Sequence, residues 1–74
     1  MDTNREREVL TLIAQGKEDK EIANGLYITV STVYSHTHAI YRKLNVRGRT
    51  EATAYYWRKF HESMDTVDRE HRVL

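Results

Sequence analysis

The positions of glycine and proline most strongly limit the folds open to this chain. Its 74 residues contain no proline, and its three glycines stand at positions 16, 25 and 48. Because these two residue types are the ones that most often interrupt a helix, long stretches without them favour helical structure. Apolar residues recur three and four positions apart between the glycines, so the sequence predicts an all-α fold.

The first helix is predicted from signals at both of its ends. Thr3 and Glu6 have the spacing of a capping box, in which each side chain accepts a hydrogen bond from a backbone amide. Apolar residues then recur at helical spacing at Val9, Leu10, Leu12 and Ile13. Gly16 is suited to the left-handed conformation that closes a helix, so this helix is expected to end there.

A second, short helix is expected to begin near Glu18 or Asp19, because acidic residues favour a helix N-terminus. Its predicted core residues are Ile22, Ala23 and Leu26. Gly25 weakens the end of this helix and is expected to lead into a turn at residues 27 and 28.

A third helix is predicted from about residue 30 to residue 45, with Thr29 as its N-cap and Thr32 three positions later. At about 100° per residue, one side of this helix forms a mainly apolar stripe that should face the core: Val33, His36, Ile40 and Leu44. The opposite side carries hydroxyl, imidazole, guanidinium and amide groups: Tyr34, Ser35, His38, Arg42 and Asn45.

Positive charge is concentrated around this third helix. From Tyr27 to Thr50 there are four basic residues and no acidic one, whereas residues 1–26 carry four basic and six acidic residues. A bounded basic patch on a nearly neutral chain favours a local site for a polyanion, although cations on a solvated helix face would give the same pattern. A helix that enters the major groove of DNA needs donor side chains and no acids, so the pattern predicts a helix-turn-helix protein.

A fourth helix is predicted after Gly48, capped by Thr50 or a residue beside it. Aromatic side chains provide large contact areas and a small alanine lets helices approach, so one face is predicted to form a homodimer: Ala52, Tyr55, Tyr56 and Lys59. One of the two tyrosines is instead expected to pack on the first helix, and the sequence leaves open which one.

A heptad-like seam follows on the same helix, at Trp57, Phe60, Met64, Val67, His71 and Leu74. It predicts either an extension that pairs with another helix or a frayed tail. Residues 1–61 are therefore expected to form the helix-turn-helix domain, and residues 62–74 an extension of the fourth helix or a C-terminal tail.

Several of these motifs together resemble the LuxR/GerE-type helix-turn-helix domain of bacterial transcription regulators. The similar segments are TNREREVLTLIAQG from Thr3, KEIA from Lys20, TV at Thr32, KLNV from Lys43 and RTEA from Arg49. They span about residues 3 to 57. The resemblance implies a four-helix domain in which the third helix recognises DNA and the fourth forms a dimer, and it suggests a stand-alone member without a receiver or ligand-sensing domain.

The resemblance also implies individual roles. The base-reading positions would be Tyr34, Ser35 and His38, and the phosphate contacts would be Lys20, Ser31, Thr32, Arg42 and Lys43. His36 would be structural. Tyr34 stands where the family often has lysine, so the base-reading face lacks the side chains that most often bind guanine.

The predicted function is a sequence-specific transcription regulator that binds double-stranded DNA as a homodimer. The alternative is a protein-interaction module with a weakened DNA face, which binds another regulator or RNA polymerase. No nucleophile elbow, phosphate-binding glycine loop or metal-ligand spacing is present, so neither an enzyme nor a bound metal or cofactor is predicted. The absence of cysteine and of a membrane-length apolar run predicts a cytoplasmic protein.

Overall fold

Four α-helices make up the part of the chain that the structure describes. The computed structural model describes the backbone of residues 4–73 and the side chains of residues 4–62. The helices are α1 (Asn4–Ala14), α2 (Asp19–Leu26), α3 (Val30–Leu44) and α4 (Arg49–Val73). Residues 4–73 contain no strand, which confirms the all-α, four-helix fold class.

Some predicted features lie outside the described residues: the cap residue Thr3 and the side chains of Met64, Val67, His71 and Leu74 in the heptad-like seam. The boundary predicted between residues 61 and 62 falls within α4. None of the described helices is both long enough and apolar enough to cross a membrane.

The starts of α2 and α3 agree with the predicted capping. Thr29 lies in extended conformation before α3, and its side-chain oxygen accepts a hydrogen bond from the Thr32 amide at 3.1 Å. The amide of Glu18 donates to Glu21 Oε1 at 2.8 Å before the first turn of α2. Amides at a helix start have no partner within the helix, so these side chains set where the two helices begin.

The start of α4 differs from the prediction. The helix begins at Arg49, so Thr50 lies inside its first turn instead of at the cap. The amide of Arg47 donates to Glu51 Oε1 at 2.8 Å, and this contact ties the α3–α4 connection to the first turn of α4. A glutamate three or four residues into a helix can satisfy an upstream amide, so no hydroxyl is needed at this position.

Three helices end at a residue with positive φ. Gly16 (φ 86°) follows α1, Tyr27 (φ 59°) follows α2 and Asn45 (φ 56°) follows α3. After α1 the amide of Lys17 donates to the carbonyl of Leu12 at 3.0 Å, which is the bond of a Schellman motif. The predicted role of Gly16 is confirmed, and the turn at residues 27 and 28 forms around a tyrosine and not around a glycine.

The hydrophobic core lies where the four helices meet: Val9, Leu10, Ile13, Ile22, Ala23, Val33, Ile40 and Ala52. Ala52 has 0% of its surface exposed, so its assignment to the dimer face is corrected. Its small side chain allows the start of α4 to approach α1 and α3, and that packing leaves no surface for a second chain.

Replacing Gly16 with alanine is expected to destabilise the domain by about 1–2 kcal/mol, because an L-residue at φ 86° is strained. Urea denaturation followed by circular dichroism would measure the change. Gly48→Ala is the matched control, since Gly48 lacks a positive φ and no atom lies within 4 Å of an added Cβ. Equal unfolding free energies for the two variants would contradict the role of the left-handed residue.

Candidate nucleic-acid interface

The outward face of α3 carries the predicted base-reading residues. Ser35 and His38 are exposed and Tyr34 is 53% exposed, whereas Val33 and Ile40 on the opposite side are fully buried. The predicted orientation of α3 is therefore confirmed. This face presents hydroxyl and imidazole groups to solvent and has no carboxylate, because α3 contains no acidic residue.

Two hydroxyls of α3 bond to the backbone of their own helix. Ser35 Oγ donates to the carbonyl of Ser31 at 3.4 Å, and Thr37 Oγ1 donates to the carbonyl of Tyr34 at 2.9 Å. Thr37 is buried, so its methyl group widens the core stripe while its hydroxyl is satisfied locally. Thr37 is absent from the predicted stripe because threonine is not an apolar residue, although its angle on the helical wheel lies beside that of Val33. His36 is half-buried, at the edge of the stripe.

The two residues predicted to contact phosphate at the start of α3 differ in their exposure to solvent. Ser31 is exposed, whereas Thr32 is half-buried and its Oγ1 lies 3.0 Å from Thr29 Oγ1 within the cap. The dipole of a helix is positive at its N-terminus, so this end of α3 is electrostatically suited to a phosphate.

The basic residues assigned to phosphate contacts have different surroundings. Lys43 Nζ lies 2.8 Å from Glu6 Oε1, and Glu6 is only 7% exposed. This ion pair connects α1 to the end of α3. Arg42 and Lys20 are exposed, and neither has an ion pair among residues 4–62. Arg42 and Lys20 can therefore bind an anion without first leaving an ion pair, whereas Lys43 would have to leave Glu6.

Arg49 links the start of α4 to the connection between α1 and α2. Its Nη1 lies 3.6 Å from Asp19 Oδ1, and its Nη2 donates to the carbonyl of Lys17. Tyr41 lies close to this pair; burial raises the pKa of its phenol, Arg49 opposes the rise and Asp19 adds to it. The phenol therefore stays neutral at physiological pH. These contacts position the first turn of α2, which carries Lys20.

The exposed side of α4 is aromatic and basic. The Tyr55 ring lies 5.7 Å from both the Arg58 guanidinium carbon and the Lys59 ammonium nitrogen. Tyr56 packs against the core cluster, so it is the tyrosine predicted to pack inward. Trp57 Nε1 donates to the carbonyl of Ala14 at 3.2 Å, which satisfies one of the free carbonyls at the end of α1.

Comparisons with known proteins found a matching family model and several similar proteins. Residues 3–56 match the family model described as bacterial regulatory proteins, luxR family. The chain is 51% identical over 53 residues to the transcriptional regulatory protein LiaR of Bacillus subtilis (strain 168), covering 72% of this chain and 25% of LiaR. It is 47% identical over 53 residues to the response regulator protein VraR of Staphylococcus aureus (strain Mu3), covering 72% of this chain and 25% of VraR.

A third relative is the putative HTH-type transcriptional regulator YhjB of Escherichia coli (strain K12), which is 46% identical over 48 residues. That match covers 65% of this chain and 24% of YhjB. The chain thus spans about a quarter of the length of the curated relatives it matches.

Proposed function

The chain belongs to the luxR family of bacterial regulatory proteins, and we propose that it is a sequence-specific DNA-binding transcription regulator that acts as a homodimer. The observation that carries this proposal is the outward face of α3, which is exposed, rich in hydrogen-bond donors and free of acids. A regulatory family also agrees with the prediction that the chain is not an enzyme. Such a regulator would work in the cytoplasm, where bacterial DNA lies.

The α3 helix lies in the major groove in this proposal. Tyr34, Ser35 and His38 then meet base edges, because all three are exposed on the side opposite the core. Hydroxyl and imidazole groups can both donate and accept hydrogen bonds, and the tyrosine ring can contact a thymine methyl group. Without arginine or lysine at the centre of the face, discrimination of guanine is expected to be modest.

Phosphate contacts surround this face in the same proposal, from Lys20, Ser31, Thr32, Arg42 and Lys43. Arg42 is expected to contribute most at the end of α3, because it has no ion pair among the described residues. Lys43 is expected to contribute less. A phosphate would have to compete with the Glu6 carboxylate for its ammonium group.

A mobility-shift titration with a random-sequence duplex over a salt series would test DNA binding. Affinity should fall steeply as salt rises, because each neutralised phosphate contributes a slope of about −0.9 to log affinity against log salt. Arg42→Gln is expected to make this slope shallower by about 0.9, and Lys43→Gln by less.

Arg5→Gln is the matched control, since it removes a partly exposed cation on α1 that has no assigned contact with DNA or with a second chain. If the wild-type chain and Arg42→Gln gave equal slopes of log affinity against log salt, Arg42 would not contact a phosphate. An affinity that does not depend on salt would contradict DNA binding as a whole.

Homodimerisation is proposed through the aromatic and basic face of α4, at Tyr55 and Lys59. Tyr56 packs on the core and would add only its partly exposed edge to this face. A groove of about 390 Å³ runs between α1 and α4 and includes all three residues together with Leu10 and Phe60. Two recognition helices related by a two-fold axis would meet half-sites about 34 Å apart, one turn of DNA.

Sedimentation equilibrium would test the dimer with Tyr55→Asp, which places a charge at the centre of the proposed face. The expected result is the mass of one chain where the wild-type protein shows two. Ala54→Asp is the matched control, because Ala54 is the exposed neighbour outside the face. A Tyr55→Asp variant with the same mass as the wild-type protein would reject this interface.

A protein-interaction module that binds another regulator or RNA polymerase is the second candidate. One observation favours it: Lys43 is held by Glu6, which reduces the positive charge available at the end of α3. Under this candidate the salt series would show no appreciable DNA affinity, whereas the folded domain would still bind a protein.

A further inference from the structure

Arg49 connects the start of α4 to the start of α2. Its Nη2 donates to the carbonyl of Lys17 in the turn before α2, and its Nη1 lies 3.6 Å from Oδ1 of Asp19. Among the residues that the structure describes, α2 packs on α3 and α1 but not on α4. The two contacts of this one side chain therefore join α4 to the beginning of α2.

The guanidinium group suits this position because it is planar and has several donors in one rigid fork. One branch of the fork binds the backbone carbonyl, and the other faces the carboxylate. Arg49 is also half-buried. A lysine would keep the positive charge, but its ammonium group is a single point of charge on a flexible stem and would not hold both partners in this geometry.

Tyr41 joins the same cluster from the last turn of α3. It packs against the core, and burial raises the pKa of its phenol, while Arg49 lowers it and Asp19 raises it. Both charges therefore lie near enough to act on the phenol. The cluster brings together the start of α2, the end of α3 and the start of α4.

The first turn of α2 carries Lys20, an exposed residue that is proposed to contact phosphate. None of the first three residues of α2, Asp19 to Glu21, is buried, and the buried residues of this helix are Ile22 and Ala23. Phosphate contacts set the register of a protein on a duplex, so they depend on where each cation is held. For Lys20, that position depends on Arg49, because the core does not hold this turn directly.

The position of α2 relative to α4 matters for a second reason, since α4 is the helix proposed for dimerisation. In a two-fold dimer, each copy contacts its own half-site. The distance between the two Lys20 side chains then follows from where α2 lies relative to α4. Both copies can contact phosphates of one duplex only if this relative position is maintained.

We propose that Arg49 is a positioning residue for DNA binding, which holds the first turn of α2 at the start of α4 and so places Lys20 at a backbone phosphate. This inference rests on the proposed DNA-binding function. It gives Arg49 no phosphate of its own, because its guanidinium already binds Lys17 and faces Asp19.

Arg49→Lys tests this role, because it keeps the charge and removes the fork. The quantity to compare is the contribution of Lys20, measured as the change that Lys20→Gln causes in the slope of log affinity against log salt. We expect a change of about 0.9 for each bound chain in the wild-type background, and less than about half of that in the Arg49→Lys background. Arg42→Gln should change the slope equally in both backgrounds, because the core stripe holds α3.

Arg47→Lys is the matched control for this substitution. Arg47 is exposed two positions before Arg49, and it has no ion pair among residues 4–62. The contribution of Lys20 should therefore be the same in Arg47→Lys as in the wild-type chain. The slope also separates positioning from stability, because a constant fraction of unfolded chain weakens binding by the same factor at every salt concentration.

Hydrogen exchange gives a second measurement, which needs no DNA. The amide of Ile22 donates to the Glu18 carbonyl at 2.9 Å at the start of α2, and the amide of Val33 donates to the Thr29 carbonyl at 3.0 Å at the start of α3. In Arg49→Lys the Ile22 amide should exchange about tenfold faster, because the start of α2 opens more often without the fork. The Val33 amide, in the equivalent turn of α3, should change by less than about twofold.

Three results would overturn the role of Arg49. The first is an equal contribution of Lys20 in the wild-type and Arg49→Lys backgrounds, and the second is equal acceleration of exchange at the two amides. The third is a shallower slope for Arg49→Gln with the contribution of Lys20 unchanged, which would give Arg49 a phosphate of its own. If the wild-type chain bound no DNA, the proposed function would fail together with this inference, whereas the three results above overturn the role of Arg49 alone.

Discussion

Replacing His38 with glutamate is expected to weaken binding to duplex DNA at least tenfold while leaving the stability of the domain nearly unchanged. His38 is exposed on the outward face of α3, so the new side chain disturbs no core contact. In the major groove its carboxylate would face the flanking phosphates, and a tenfold loss corresponds to about 1.4 kcal/mol of repulsion. A mobility shift at fixed salt would measure the affinity, and urea denaturation the stability.

Gln15→Glu is the control for this experiment, because it changes the charge by the same amount at an exposed site beyond the end of α1. It is expected to reduce the affinity less than twofold, because long-range repulsion between exposed charges is screened by salt. Equal effects of the two substitutions would show that α3 has no special position relative to the DNA, and the proposed orientation in the groove would then be wrong.

Replacing Ile40 with alanine is expected to destabilise the domain by about 2–5 kcal/mol. Ile40 is fully buried in the core cluster, so the shorter side chain removes apolar contacts and leaves a cavity. At about 0.05–0.15 kcal/mol per residue, a chain of 74 residues has a total stability of about 4–11 kcal/mol. The Ile40→Ala variant should therefore lose a large share of the domain's stability, and circular dichroism during urea denaturation would measure this as a lower unfolding free energy.

Tyr34→Ala is the matched control on the same helix. Tyr34 is 53% exposed, so its truncation should change the unfolding free energy by no more than about 0.5 kcal/mol. If the two variants unfolded at the same urea concentration, the assignment of inner and outer faces of α3 would be contradicted.

The caps and the faces of α3 could be predicted because they depend on residues close together in sequence. Thr29 caps α3, Gly16 closes α1 and the stripe through Val33 and Ile40 is buried, all as predicted. A hydroxyl that accepts an amide three residues later, or a periodicity of about 3.6 residues, involves one turn of helix at a time. The start of α4 was missed because a glutamate inside the helix replaced the expected cap.

The roles of Lys43, Arg49 and Ala52 could not be predicted in the same way. Lys43 is predicted only as a phosphate contact, yet its Nζ lies 2.8 Å from Oε1 of Glu6, which is 37 positions earlier in the chain. Arg49 binds the α1–α2 connection, 32 positions from the carbonyl of Lys17. Charge and spacing along one helix contain no information about partners on another helix, so the sequence does not show which cations are held by an acid or a carbonyl elsewhere in the fold.

For this protein, the sequence by itself determined the number of helices, most of their ends and the exposed face of α3, because hydrogen bonds and side-chain spacing within a few residues control all of these features. Only the tertiary structure decided that Ala52 lies in the core, that Glu6 holds Lys43 and that Arg49 binds the carbonyl of Lys17. Those features arise from the way the four helices pack, and packing brings together residues that are far apart in the chain.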